Sequence, residues 1–197
     1  KSTVIAKLAA DAYYVGLRGV MLAHRRELLD QMAASVAAVA PELPRVGIVQ
    51  GERNSPTADI VAASFQTLTA NPSRLAALGR REVVLVDEMH HSAAETYKGV
   101  LDALDVTEHN PNNPVFACGF TATASRADGG LVDVWDTVVY EKSLSWAIKK
   151  GYLVTPRGLT VVLPDMDLTE VTVRAGDYAS GELEHVMQAS VDTTVMA

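Results

Sequence analysis

Short, mostly apolar runs recur along the chain at residues 19–24, 45–51, 59–68, 83–86, 115–124, 138–141 and 159–163. Several are apolar at nearly every position rather than at every second one. That pattern predicts strands buried on both faces, as in a parallel sheet covered by helices. Between them lie stretches with helical spacing at residues 1–10, 25–39, 72–81, 93–104, 143–150 and 182–189. Pro41 and Pro44 close the second stretch, and Gly151 stops the fifth. Residues 52–57 and 105–114 read as polar loops, and Asp128-Gly129-Gly130 as a turn. Strands alternating with helices predict a doubly wound α/β domain with a mostly parallel sheet. From Pro164 onward the chain turns polar and acidic. The expected organisation is therefore one domain over residues 1–163 and a linker over 164–197.

In such sheets, ligands bind beyond the carboxyl ends of the strands. The run Val83-Val84-Leu85-Val86 ends there in Asp87 and Glu88. Neighbouring strand residues point to opposite sides, so one carboxylate could hold a metal while the other polarises a water. A solvated turn or a helix N-cap would also account for the pair. Zinc at Glu88, His90 and His91 lacks the H-E-x-x-H spacing that sets two imidazoles on one helix face. Lys1-Ser2-Thr3 matches the tail of G-x-x-x-x-G-K-[ST], a loop that holds phosphates on backbone amides. Arg25 and Arg26 could meet a phosphate backbone, or simply open a solvated helix with Glu27 as their partner. Ser64, Gln66 and Thr67 suit sugar–phosphate contacts and equally suit capping the next helix. Thr121 and Thr123 end the run at 115–124. Lys149 and Lys150 sit at a helix C-terminus, where the dipole favours cations.

Composition narrows the partners. The chain has 197 residues, 48% hydrophobic and 21% charged, an ordinary globular make-up. A net charge of -7 argues against a broad basic nucleic-acid surface, so any such contact must be local. The single cysteine, Cys118, allows no disulfide within the chain and fits a reducing compartment. Its own run makes it a small buried hydrophobe. No apolar stretch reaches membrane-spanning length, and no signal peptide is visible. The first residue is Lys1 rather than Met, so the expectation is a piece of a longer, cytoplasmic protein, nucleoid-associated or phage-encoded origins included.

Each motif alone is short. Their order is more specific: Lys1-Ser2, Leu22-Ala23-His24-Arg25-Arg26-Glu27-Leu28, Ala63-Ser64-Phe65-Gln66-Thr67, Asp87-Glu88-Met89-His90 and Gly119-Phe120-Thr121-Ala122-Thr123. In that order the chain resembles the first motor domain of superfamily-two DEAD/DEAH-box helicases and translocases, a RecA-like P-loop NTPase fold. It is most similar to the Ssl-type and type III restriction-like group. Gly151-Tyr152-Leu153-Val154 and Ala175-Gly176-Asp177-Tyr178 also look like that group.

The resemblance implies ATP and Mg2+ as cofactors. It implies DNA, or else RNA, and a second RecA-like domain of the same parent chain as partners, with no membrane. Lys1, Ser2 and Thr3 would bind nucleotide, and Ser2 and Asp87 would ligate magnesium. Glu88 would be the general base, acting with Asp87 and His90. Arg25, Ser64, Gln66 and Thr67 would face nucleic acid, and Thr121 and Thr123 would couple hydrolysis to motion. The loop glycines before Lys1 and the second motor domain with its arginine finger are missing from the sequence, and Met89 stands where Ala is commoner. The isolated chain is therefore expected to be a poor ATPase. The competing expectation is a nucleic-acid-binding or scaffold module of the same fold without hydrolysis. The intact Asp87-Glu88 pair argues against it.

Overall fold

The computed structural model describes residues 1–90, 95–107, 114–122, 134–158, 171–174, 177–178, 181, 183–184 and 186–187. The chain falls into two compact units, Lys1–Tyr140 and Glu141–Ala197. The first unit opens with α1 (Ser2–Tyr14), β1 (Gly19–Ala23), α2 (Arg26–Val39), β2 (Gly47–Gln50) and β3 (Arg53–Asn54). It continues with β4 (Ile60–Ser64), α3 (Phe65–Ala70), α4 (Pro72–Leu78), β5 (Val83–Asp87), α5 (Glu95–Ala103) and β6 (Phe116–Phe120).

The strands form one sheet in the order β3-β2-β4-β1-β5-β6. All pairings are parallel except the β2–β3 hairpin. Every residue of β1, β4 and β5 is buried, which explains their unbroken apolar runs. Alternation splits their side chains between two cores. Met21, Ala23, Ala62, Val83 and Leu85 pack with Ile5 and Ala9 of α1 and with Leu29, Met32 and Val36 of α2. Val20, Leu22, Val61, Ala63, Val84 and Val86 pack with Phe65 and Leu68 of α3, Leu78 of α4 and Leu101 of α5. Leu29, Met32 and Val36 recur at helical spacing. Burying each of the three contributes roughly 1.5–3 kcal/mol.

Several expectations need correcting. The run at 59–68 is not one strand: it turns at Ser64, whose hydroxyl accepts from the Thr67 amide at 3.5 Å, and continues as α3. The hydroxyl offers the chain a helix start exactly where the ladder ends, and Phe65 and Leu68 can still be buried at helical spacing. The helix at 72–81 ends at Leu78, because Gly79 turns with a φ of 61°. The run at 138–141 is not a strand. Val139 and Tyr140 are 83% and 74% exposed, and these residues pair with no strand of the sheet. An apolar run becomes a strand only where a neighbouring ladder satisfies its backbone. β6 was expected to be buried, yet it is only partly so, since among the described residues it is an edge strand. The polar loop at 52–57 hides the short strand β3. The expected strand at 159–163 lies outside the described residues.

The second unit contains α6 (Leu144–Lys149), capped by the Ser143 hydroxyl accepting from the Trp146 amide at 3.1 Å. The Trp146 and Tyr152 rings sit 5.5 Å apart, and Lys142 lies 5.0 Å above Trp146. β7 (Val173–Arg174) and β8 (Asp177–Tyr178) pair antiparallel. Among the described residues, no helix is long and apolar enough to cross a membrane.

Candidate nucleotide site

The carboxyl ends of β1, β5 and β6 meet the N-terminus of α1. Asp87, the last residue of β5, is 7% exposed. Glu88 does not continue the strand. Its φ is 51°, in the left-handed region that costs a non-glycine residue about 1–2 kcal/mol. Its amide bonds to Asp87 Oδ1 at 3.0 Å. The two carboxylates were expected to point to opposite sides. Instead the left-handed turn brings both to the same partner, Lys1. The Lys1 Nζ donates to Glu88 Oε1 and lies 3.5 Å from Asp87 Oδ1.

A chain of polar contacts continues from there. Glu88 Oε2 lies 3.4 Å from His90 Nδ1, and that nitrogen is 2.9 Å from Thr121 Oγ1. The strand register makes this possible. Asp87 pairs with Phe120, so Thr121 leaves β6 beside the turn that carries Glu88 and His90. Thus Lys1, Asp87, Glu88, His90 and Thr121, far apart in the chain, share one network. Thr123 and His91 lie outside the described residues.

The electrostatics follow the contacts. Burial pushes the Glu88 carboxyl up, but the hydrogen bond from Lys1 and the charges of Lys1, His90 and His24 outweigh it, leaving Glu88 below its ordinary value. Burial alone would lower the Lys1 ammonium. The bond to Glu88 and the charges of Asp87 and Glu88 reverse this and raise it. Around neutral pH the pair is therefore fully ionised.

Met89 packs behind this network. A Cβ added at Gly119 would lie 2.5 Å from Met89 Sδ, 2.8 Å from Met89 Cβ and 2.9 Å from Trp135 Cζ2. The thioether can swing aside, but the Cβ of Met89 and the indole cannot. Gly119→Ala is expected to cost about 1–3 kcal/mol of stability, read as a lowered Tm. An unchanged Tm would mean that this packing gives way freely.

The other expected residues surround the network. Ser2 and Thr3 form the exposed first turn of α1, where the helix leaves its amides without intrahelical partners. Arg25 is the exposed N-cap residue of α2, with its Nε donating to His24 Nε2 at 3.1 Å. Ser64 is buried, and its hydroxyl donates to Gln66 Oε1 at 2.8 Å while capping α3. Its geometry is that of the cap, and it presents an exposed Gln66 and a half-buried Thr67. Ala23 pairs with Ser64, so the Arg25 and Gln66 turns are neighbours. Among the described residues, no cluster of three or more His, Cys, Asp or Glu could hold a metal.

Known proteins share this chain's pattern. The family described as type III restriction enzyme, res subunit (ResIII), matches residues 1–126. The Saccharomyces cerevisiae protein named "Putative ATP-dependent helicase IRC3" is 32% identical over 175 residues, 86% of this chain and 24% of that protein. A "51.5 kDa protein" of a Lactococcus phage is 26% identical over 97% of this chain and 36% of its own length. The Schizosaccharomyces pombe "Putative mitochondrial ATP-dependent helicase irc3" is 29% identical over 72% of this chain and 23% of its own length. The chain thus spans about a quarter to a third of the relatives it matches.

Proposed function

This chain belongs to the type III restriction enzyme res-subunit family, a superfamily-two helicase type of P-loop domain, and on that premise we propose that it is the first motor domain of an ATP-driven helicase or translocase acting on DNA or RNA. The observation that carries the reading is the single cation, Lys1, shared by Asp87 and Glu88 beside the N-terminus of α1. The names of the two yeast relatives agree with it. Residues 1–163 form the motor domain in this reading, and residues 164–197 lead toward a second RecA-like domain of the parent protein.

The donor set fits Mg2+ and a nucleoside triphosphate. Magnesium is usually bound by one or two carboxylates plus phosphate oxygens, and it does not need a protein cage. Asp87 and the Ser2 hydroxyl supply those protein ligands. Lys1 and the first-turn amides of α1, at Ser2 and Thr3, suit the phosphates. When bound, the metal neutralises charge that develops on the transferred phosphoryl group.

The residues of this chain then have distinct tasks. Lys1 exchanges its two carboxylates for the outer phosphates. Its departure removes the main cause holding Glu88 below its ordinary value, so Glu88 becomes a better base when substrate is present. Glu88 orients the attacking water and accepts its proton. His90, bonded to Thr121, links that carboxylate to the end of β6 and so to interdomain motion. Arg25, Gln66 and Thr67 contact the polymer's sugar–phosphate backbone, with Ser64 setting the turn.

Lys1→Ala tests the site in the full-length parent protein. The Mg-ATP concentration for half-saturation is expected to rise about 10- to 100-fold, the scale of a lost charge-assisted contact. Equal affinity in wild type and variant would rule out Lys1 as a phosphate ligand.

A further inference from the structure

Resting on that reading, we propose that His24 is a positioning residue that ties the polymer contact at Arg25 to the Glu88 carboxylate. It would give the hydrolysis centre a second link to nucleic acid, separate from the His90–Thr121 contact. Three observations converge on it.

The first is register. β1 and β5 are parallel neighbours with Leu22 opposite Val86. Two residues further along each strand, the register brings His24 beside Glu88. The charge of His24 is indeed among those acting on the Glu88 carboxyl. On its other side, Ala23 pairs with Ser64, the residue that starts α3. His24 thus stands between the carboxylate and the turn that presents Gln66 and Thr67.

The second is the hydrogen bond itself. Arg25 Nε donates to His24 Nε2 at 3.1 Å. A ring nitrogen can accept only when it carries no proton, so the neutral ring bears its hydrogen on Nδ1. His24 Nδ1 is buried while Arg25 is exposed. One edge of the ring therefore faces the protein and the other holds the arginine.

The third is what the bond does to Arg25. As the N-cap residue of α2 it makes no side-chain cap bond. Its guanidinium is held by Nε, and the two Nη groups take no part in that bond. A guanidinium fixed in this way loses less freedom on meeting a phosphate than a mobile one. Any shift of His24 that follows a change at Glu88 moves Arg25 with it.

The test uses the full-length parent protein. ATP turnover is measured against nucleic-acid concentration for wild type, His24→Ala, Arg25→Ala, the double variant and His24→Gln. His24→Ala and Arg25→Ala are each expected to raise the half-stimulating polymer concentration about tenfold. The double variant should be no worse than Arg25→Ala alone, because both single changes break one linkage. His24→Gln, whose amide oxygen reaches the Nε2 position, should restore much of the loss. A merely structural role would lower Tm without this non-additivity or rescue. Effects that multiply in the double variant, or a His24→Ala protein with wild-type stimulation, would overturn the inference while leaving the motor reading intact. A wild type with no stimulation by any polymer would overturn both.

Discussion

Glu88→Gln is expected to stop ATP turnover by the full-length parent protein while sparing nucleotide binding. The amide keeps the shape of the carboxylate but cannot take the proton of the attacking water. Removing a positioned general base costs about 10²–10⁴-fold in rate, and kcat at saturating polymer should fall by that factor. Lys1 loses one of its two carboxylate partners in this variant and keeps Asp87. Its ammonium is then less tied down, so affinity for Mg-ATP should be equal to or above wild type. A loss of less than tenfold in kcat would mean that another group is the base. Parallel loss of nucleotide affinity would mean that Glu88 acts in binding instead.

Arg81→Met is expected to be the most destabilising single exchange away from the site. Arg81 is only 2% exposed, although it carries a charge. Burial, then the nearby Arg18, draw it down to about 10, opposed by Asp59 and Glu82, so it remains a cation at neutral pH. Its Nε donates to the carbonyl of Leu78 at 3.1 Å. Nη1 donates to the carbonyls of Gly19 at 3.3 Å, Ala58 at 2.8 Å and Asp59 at 3.1 Å, and Nη2 donates to Pro56. One guanidinium therefore joins the end of α4 to the start of β1 and the segment leading into β4. Methionine fills similar volume but leaves those buried carbonyls without their donors. Each such loss costs about 1–3 kcal/mol, with partial recovery by water, so a total of about 3–5 kcal/mol is expected. That corresponds to a drop in Tm on the order of 10 °C. A fall of only a degree or two would show that water replaces the guanidinium at little cost.

Arg81 also marks the limit of what the sequence discloses. Next to Arg80 it reads as the basic exit of a helix, and no local pattern distinguishes a solvated arginine from one that gathers carbonyls from three elements. The central strands were legible because burial on both faces leaves a continuous apolar run, as in Val83-Val84-Leu85-Val86. The run at 59–68 misled because Phe65 and Leu68 are as apolar as a strand requires, and the deciding contact is a single hydroxyl at Ser64. The run at 138–141 misled because strand formation depends on a neighbour that local sequence does not specify.

The site was legible in part for the same reason. Asp87, Glu88, His90 and Thr121 fall at strand ends, where α/β sheets bind ligands. Two features were not legible. The left-handed turn at Glu88, which aims both carboxylates at Lys1, has no glycine to announce it. The position of His24 emerges only when the pairing of Leu22 with Val86 is known. Both depend on strand register, which motif order does not carry.

The most direct test of the motor reading is ATP turnover by the full-length parent protein in Mg2+, titrated with single-stranded DNA, duplex DNA and RNA beside its Glu88→Gln variant. The account predicts that at least one polymer stimulates turnover in wild type and none does so in the variant. Polymer binding with no ATP turnover under any of these conditions would contradict it, and the fold would then serve as a nucleic-acid-binding module.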